Sequence, residues 1–495
     1  MQKNVTPKII VFFRHKARPM LRRSGSPPMS PEEIVGNTAG MTTGLGAGCG
    51  AAAWVFLRKN MATPTPVPET VMGCDPIMVA TPLIRRSRKD RKVLLTARAL
   101  SGNAFASPQS LIPNIGRMSS LNILHVFRAP VGGLFRHVMD LARAQAERGH
   151  RVGLIADSNT GGDRAAAAFD AIAPLMAHGI TRIPMSRQVG PGDWRPVLHV
   201  MRRSSAVKAD VLHGHGAKGG AYARLALGNR GAVRAYTPHG GSLLFGHDTL
   251  AGKIYLTTER LLMRRSDLLL FESQYSADMS RSKVGLPHGL LRVVHNGVSK
   301  AEFEPVVPAK DATDIIFIGE LRHVKGIDLL IDAIASLRRQ GRPLTATLVG
   351  AGADRDALIQ RVANAGLSDS IAFPGAMSAR EALKLGRLMV VSSRAESLPY
   401  VVLEAAAGQV PLVTTRVGGI PEIYGPLSEA LVEPGNSTAI ATAIADALDH
   451  PDAMRQRTLA LNERVARSFS IDAMVAGVLD GYQTALQNVR ESGRH

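Results

Sequence analysis

From Leu121 onward, apolar runs of strand length alternate with amphipathic helical segments, and this alternation narrows the fold more than any other feature. "LNILHVF" passes through "RAPVGG" into a segment whose Leu134, Val138, Leu141 and Ala142 fall on one helical face. Gly149 closes that helix, and "RVGLIAD" returns as a strand. Strand, helix and strand within about 35 residues make a βαβ unit, which demands a parallel sheet.

The rhythm continues through "DVLHGHG", "VRAYTPHGG", "SDLLLFES" and "LLRVVHNGV", then breaks at the Pro-rich, charged stretch Ser299–Thr313. It restarts with "DIIFIGEL", "TATLVGAG", "IAFPG", "LMVVSS" and "PLVTTRVGG" as strands, with helices between them. These runs are apolar throughout rather than alternating, as expected of strands covered by helices on both faces. The expected organisation is two doubly wound α/β domains, 118–298 and 314–465, joined by a linker at 299–313. Residues 466–495 form a final amphipathic helix and tail, with Ile471, Met474, Val478, Leu479 and Tyr482 in helical phase. Such sheets bind ligands at the carboxyl ends of their strands, so two of them imply a cleft.

Composition supports a globular chain: 45% of the 495 residues are hydrophobic and 20% charged. Aromatics make up only 4%, too few for a platform on which single-stranded nucleic acid would stack. The net charge of +20 is uneven, because residues 1–117 hold 17 Lys/Arg against 5 Asp/Glu. A basic leader can touch anionic lipid or nucleic acid, but a charge run is more often a solvated segment, and no specific nucleic acid is expected. The leader is read as a disordered extension, with Met118 an alternative start. Its apolar stretch Met41–Leu57 is glycine-rich and short for a membrane span. Both cysteines, Cys49 and Cys74, lie there, which makes a reducing compartment the default.

Candidate chemistry gathers at the predicted strand ends. Gly132 and Gly133 stand where the first strand turns into a helix, suited to close backbone approach by an anion or to a purely structural turn. They do not make the G-x-G-x-x-G fingerprint of nicotinamide binding. His213 and His215 are read as lying just after a strand, without a third ligand at a convincing spacing, so no metal is expected. His239, in the glycine-flanked "TPHGG", has two readings: a donor or proton shuttle to substrate, or a loop histidine bonded to backbone. After Gly319 come Glu320, Arg322 and Lys325, with Gly326 opening a helix, an arrangement that can clamp a diphosphate.

"AESLPYVVLEAAAGQVP" adds two carboxylates, Glu396 and Glu404, eight positions apart in an otherwise uncharged run. Leu398 and Pro399 mark the expected start of a helix, which leaves Glu396 in the loop and Glu404 about one and a half turns along. One ligand lying over that helix start can meet both acids and rest its negative centre on the free amides between them. A carboxylate accepting from vicinal hydroxyls suits a sugar at each end, as in a nucleotide sugar.

In this order and spacing the motifs are familiar. The paired glycines, "RGHRV", "TPHGG", "NGV", "GELRHVKG", the two glutamates and "VGGIPE" resemble the large group of retaining GT-B glycosyltransferases called family four, or group one. The resemblance spans about 370 residues of the chain. It implies two Rossmann-like domains facing a cleft, with the last helix crossing back to the first domain. It implies a UDP- or GDP-linked sugar as donor substrate, no cofactor, and a saccharide or lipid-linked saccharide as acceptor. Glu404 would bind the donor ribose, and Glu396 the transferred sugar. Lys325 would contact the diphosphate, with Gly132 and Gly133 closing over it. His239 would face the sugar or its departing phosphate, and Met377 would lie in the loop that meets the base. Polysaccharide or glycolipid synthesis in the cytoplasm, with peripheral contact at the membrane face, is the family-level expectation. Arg202, Arg203, Arg264 and Arg265 are compatible with that contact. The departure is Glu320, where the family usually carries an arginine; Arg322 is the nearest substitute. That departure keeps a non-catalytic sugar-nucleotide-binding protein open as an alternative, beside a nucleotide-sugar epimerase.

Overall fold

A computed structural model describes residues 119–229 and 231–493. The readings made for residues 1–117 and for the start at Met118, including the basic leader, both cysteines and Met41–Leu57, lie outside them. Among the described residues no helix is long and apolar enough to cross a membrane.

The first sheet holds seven strands: β1 (Asn122–Phe127), β2 (Arg151–Asp157), β3 (Ile180–Ile183), β4 (Val211–His215), β5 (Val233–Thr237), β6 (Leu268–Phe271) and β7 (Leu290–Val293). Their spatial order is β3-β2-β1-β4-β5-β6-β7, and all pairs are parallel. The second sheet holds β8 (Thr313–Ile318), β9 (Ala346–Val349), β10 (Ile371–Gly375), β11 (Gly386–Val391) and β12 (Leu412–Thr414), in the order β10-β9-β8-β11-β12, again all parallel. Each order reverses direction beside its first strand, so the strand ends around β1/β4 and β8/β11 form the crevices where ligands settle in such sheets. The fold class expected from the alternation is therefore the one observed. The short β3 was not anticipated, because its residues are only half-buried and carry Thr181 and Arg182.

The apolar runs bury as continuous cores. Ile315, Phe317, Leu330, Ile334, Leu348 and Leu388 sit together on one face of the second sheet. Met389, Val391, Val402, Leu403 and Ile420 fill the other. Each such side chain contributes roughly 1.5–3 kcal/mol on burial. The stretch after Pro451 runs as a helix to Ser468, then crosses at Phe469–Ser470 beside the Asn296–Val298 turn. Backbone bonds hold that crossing, Val298 N to Phe469 O at 2.8 Å and Ile471 N to Val298 O at 3.1 Å. The last helix, Ile471–Glu491, then lays Met474, Val475, Val478, Leu479 and Tyr482 against Leu121, Ile123, Val211 and Leu268 of the first sheet. Its predicted face is the buried one, apart from Ile471, which is only partly covered.

Strand registry places one set of polar side chains inside this core. His213 and His215 are two apart in β4 and so share a face, and His125 of β1 is the register partner of His213. The expectation that His213 and His215 lie after the strand is corrected: both are inside β4 and fully buried. Polar partners make that burial tolerable, His213 bonding Tyr482 Oη at 2.7 Å and Thr237 Oγ1 at 2.8 Å.

Candidate active site

The second domain supplies the first half of the site. After β8 the chain turns through Arg322 into the short turn His323–Lys325, and the helix Ile327–Arg339 starts behind Gly326. Gly326 has φ +64°, and a Cβ there would lie 2.0 Å from the carbonyl oxygen of Ser392, so only glycine fits. This close approach sets Lys325 beside the loop after β11. Lys325 Nζ donates to both oxygens of Glu396, at 2.7 and 2.9 Å, and Ser393 Oγ donates to one of them at 2.7 Å. Glu396 is only 9% exposed, and this pairing is what makes an acid tolerable at the edge of so apolar a run.

The loop carrying Glu396 is clamped from both sides. Arg394 forms a bidentate pair with Asp328 at 2.7 Å for each bond. On the other flank Gly419 N donates to Ser397 O at 2.6 Å, and a Cβ on Gly418 would fall 2.0 Å from the Glu396 carbonyl. The helix begins at Tyr400 with Pro399 as its N-cap, one position later than expected, because Pro399 keeps an extended ψ of 124°. Leu398 is buried, and its carbonyl accepts from Asn296 Nδ2 at 2.9 Å.

The first domain supplies the facing half. Gly132 opens the helix Gly132–Glu147, and a Cβ on Gly133 would touch the Tyr400 ring at 3.5 Å, so the glycine turn abuts the Glu404 helix. Arg136, one turn into that helix, ion-pairs with Glu404 and Glu302, bonds Asp140 at 3.2 Å, and stacks 4.7 Å from the Tyr400 ring centre. Glu404 is 11% exposed, and Arg136 is its partner. His239 follows β5 with φ +53°, a strained conformation for a residue with a Cβ. Its Nδ1 sits 2.5 Å from Glu272 Oε1, and the other Glu272 oxygen accepts from Ser397 Oγ at 3.3 Å. A hydrogen-bonded path therefore joins His239 to the residue next to Glu396. Burial pushes the Glu272 carboxyl up, but its interaction with His239 outweighs it and holds the group below its ordinary range.

Of the residues expected from sequence, the structure brings Lys325 against Glu396, Gly133 against the Glu404 helix, and His239 within two bonds of Ser397. Gly319 sits at the end of β8, its N–H bonded to Val349 O at 3.0 Å, and Met377 lies half-buried after β10 against the core beneath the loop. Arg322 stands apart: it is 50% exposed, and its nearest acid is Glu320 at 3.6 Å. Sequence reasoning missed Glu272, Arg136, His125 and His137. Glu272 was visible only as the acid ending "LLLFE", and Arg136 as the cation one turn after Gly132.

Histidines dominate the buried side of this site. His125 Nε2 lies 2.8 Å from Gln145 Oε1, and its Nδ1 lies 2.9 Å from His215 Nε2. His215 Nδ1 is 3.1 Å from His239 Nε2, and His137 Nδ1 is 2.9 Å from Asn296 Oδ1. Burial lowers His125 to about 4, and it lowers His137, with help from the nearby His239, to about 3. No third ligand stands at a convincing spacing in the sequence, but in space His125 comes beside His213 and His215, and His137 and His239 come beside His215.

Two parallel doubly wound sheets, with a lysine–glutamate pair and a glycine turn at their facing strand ends, define a GT-B type of body. Comparison with known proteins agrees. Residues 131–302 match the family model described as Glycosyltransferase Family 4, and residues 298–461 match Glycosyl transferases group 1, so the chain carries both glycosyltransferase domains in that order. A glycogen synthase of Mycobacterium tuberculosis is 28% identical over 239 residues, 47% of this chain, and the match spans 58% of that relative's length. A D-inositol 3-phosphate glycosyltransferase of Gordonia bronchialis is 28% identical over 308 residues, 56% of this chain and 67% of its own. The structure of Anabaena HepE in complex with UDP shares the fold, with a TM-score of 0.61 at 18% identity over 74% of this chain and 100% of that one.

Proposed function

We propose that the chain transfers a sugar from a nucleoside diphosphate sugar to a hydroxyl of a saccharide or lipid-linked saccharide, with retention at the anomeric carbon. The observation that carries this reading is the Lys325–Glu396 pair, set at the strand ends beside the His239–Glu272 dyad. A cation that can leave a carboxylate for a diphosphate, next to an acid that can hold sugar hydroxyls, is the equipment such a donor needs. HepE was solved with UDP, and this supports a uridine donor of the same kind here.

In this reading the bond between the anomeric carbon and the diphosphate oxygen breaks, and the acceptor hydroxyl attacks from the same face. Its proton passes to the departing phosphate. Lys325 stabilises the growing phosphate charge, with Arg322 swinging in from its exposed position and the amides behind Gly132 and Gly319 adding partial positive charge. Glu404 takes the ribose hydroxyls in exchange for Arg136, Met377 lies in the base loop, and Leu398 and Pro399 supply the helix start. The reaction takes place in the cytoplasm, at the inner membrane face when the acceptor is a lipid.

A panel of UDP- and GDP-sugars tests this by thermal shift, since a true donor raises the melting temperature of the fold it binds. Stabilising donors are then offered to saccharide acceptors, and NMR reads the anomeric configuration of the product. The exposed Arg322–Glu320 contact favours one second reading, a sugar-nucleotide binder without turnover. Donor stabilisation with neither transfer nor hydrolysis selects it.

A further inference from the structure

The histidine cluster has too few protons for its own hydrogen bonds. Asn296 is oriented by its Nδ2 bond to the Leu398 carbonyl, so its Oδ1 faces His137 Nδ1, which must donate. That leaves His137 Nε2 a bare lone pair, and this atom is buried with no hydrogen-bond partner. Glu272 accepts from His239 Nδ1, which leaves His239 Nε2 bare as well. Gln145 Oε1 accepts from His125 Nε2, so His125 Nδ1 accepts from His215 Nε2 and the Nδ1 of His215 is bare in turn. Bare Nδ1 of His215 and bare Nε2 of His239 face each other at 3.1 Å. His137, His215 and His239 can each bring one ring nitrogen within 4.8 Å of the other two.

Opposed lone pairs in a dry pocket repel unless something positive sits between them. We propose that His137, His215 and His239 form a binding site for one borderline transition-metal cation, Zn²⁺ being the best match, through Nε2, Nδ1 and Nε2 respectively.

Three features favour this assignment. An all-imidazole donor set suits zinc and its neighbours and is wrong for Mg²⁺ or Ca²⁺, which want oxygen. Tetrahedral zinc with Zn–N of about 2.0–2.1 Å separates its nitrogens by roughly 3.3 Å, close to the 3.1 Å between His215 and His239. Finally, every ligating ring is held at its other nitrogen, His137 by Asn296, His215 by His125 and His239 by the Glu272 carboxylate, the outer support that metal-bound histidines need. Glu272 also supplies a buried negative charge against the cation.

The site is chemically unlike a diphosphate-bound metal. It touches the proposed reaction at one atom, His239 Nε2, which cannot hold a cation and face a donor sugar at once. A three-histidine set leaves a fourth tetrahedral position for water or a substrate oxygen.

The competing arrangement has the Gln145 amide turned over. Its Nε2 then donates to His125 Nε2, His125 Nδ1 donates to His215 Nε2 and His215 Nδ1 to His239 Nε2, while His239 Nδ1 still donates to Glu272. All rings are neutral and partnered except His137 Nε2, and the cluster is a proton wire with no place for metal.

Full-length protein stripped with a chelator and titrated with Zn²⁺ against a chelating dye separates the two. One tight equivalent is expected, weakened at least 100-fold in His137→Gln/His215→Gln and about 10- to 100-fold in Glu272→Gln. Co²⁺ in the same protein should give tetrahedral d–d bands that the double variant loses. Crystals of the unmodified protein soaked in Zn²⁺ make the result independent of whether the variants fold. An anomalous peak at the zinc edge among His137, His215 and His239 supports the site, whereas a peak elsewhere only, or none, overturns it. Zinc binding unchanged in a folded double variant overturns it equally.

Discussion

Lys325 and Glu396 hold each other across the strand ends of β8 and β11, with Nζ at 2.7 and 2.9 Å from the two carboxylate oxygens. Each neutralises the other where neither could stand alone, and under the proposed reaction each releases the other to a different part of one donor. Glu396→Gln keeps the shape and one hydrogen bond, so it should lower kcat far more than it raises KM for the donor. Lys325→Met should lower kcat/KM by about 100- to 1000-fold, the scale of losing one donor to a developing negative charge. Steady-state kinetics with the best donor reads both, and turnover undiminished in Glu396→Gln removes that residue from the reaction.

The loop that presents Glu396 depends on a glycine. Gly418 has φ +59°, and an added Cβ would meet the Glu396 carbonyl at 2.0 Å. Gly418→Ala should therefore cost about 2–4 kcal/mol in denaturant unfolding and displace Glu396 as well. Gly149 makes the control: its φ is +87° but nothing lies within 4 Å of its Cβ position. Gly149→Ala should cost only ~1 kcal/mol, with activity retained.

Much of this site could be read before the fold was seen. "GELRHVKG" and the two glutamates announce themselves because each lies within one strand–loop–helix unit, where local spacing determines which side chains share a strand end. The partner of Glu404 could not be read this way. Arg136 belongs to the other domain, and its approach depends on how the sheets face each other. The histidine cluster was hidden for a related reason. His125, His137, His215 and His239 come from β1, the helix after it, β4 and the turn after β5, and they meet only because β1 and β4 are neighbours in the sheet. Sheet order leaves no periodic trace in a sequence, so "HGHG" looked like a pair without a third ligand.

Arg136 is the only cation within hydrogen-bonding distance of Glu404 among the described residues, and it serves Glu302 and Asp140 too. Burial raises the Asp140 carboxyl against the pull of Arg136. Arg136→Gln should lower stability by roughly 2 kcal/mol, seen as a fall in Tm, because it strands three carboxylates together. The loss should persist at 1 M NaCl, since partly buried charges are poorly screened. A loss that salt abolishes would make the contact a surface one.

Glu422 bridges the two domains, accepting from Gln274 N at 2.8 Å, Tyr275 N at 2.9 Å and His295 Nε2 at 3.0 Å. Burial raises its carboxyl, but the bonds from His295 and the two amides outweigh that and hold it below its ordinary 4.5. A carboxyl depressed in the folded state stabilises the protein fully above its unfolded value and loses that contribution as pH falls through the folded one. Glu422→Gln should therefore be less stable than the parent by about 1 kcal/mol at pH 7, discounted for partial exposure. The gap should close as pH drops below about 4.5. Denaturant midpoints of both proteins across that range read the effect, and a gap independent of pH would assign the loss to shape rather than charge.

The last helix is tied to the first sheet by more than apolar area. Tyr482 Oη lies 2.7 Å from His213 Nδ1, both groups fully buried, and His213 Nε2 lies 2.8 Å from Thr237 Oγ1 at the end of β5. Tyr482→Phe preserves the ring and its packing but leaves a ring nitrogen of His213 without a partner in the core. An unsatisfied buried group of this kind costs about 1–3 kcal/mol. The variant should unfold at lower denaturant with an unchanged m-value, because the surface exposed on unfolding is the same. Adding Thr237→Val removes the second partner of the same ring, so the double variant should lose a different amount from the sum of the singles. Strict additivity would mean that the crossing helix is held by its apolar face alone.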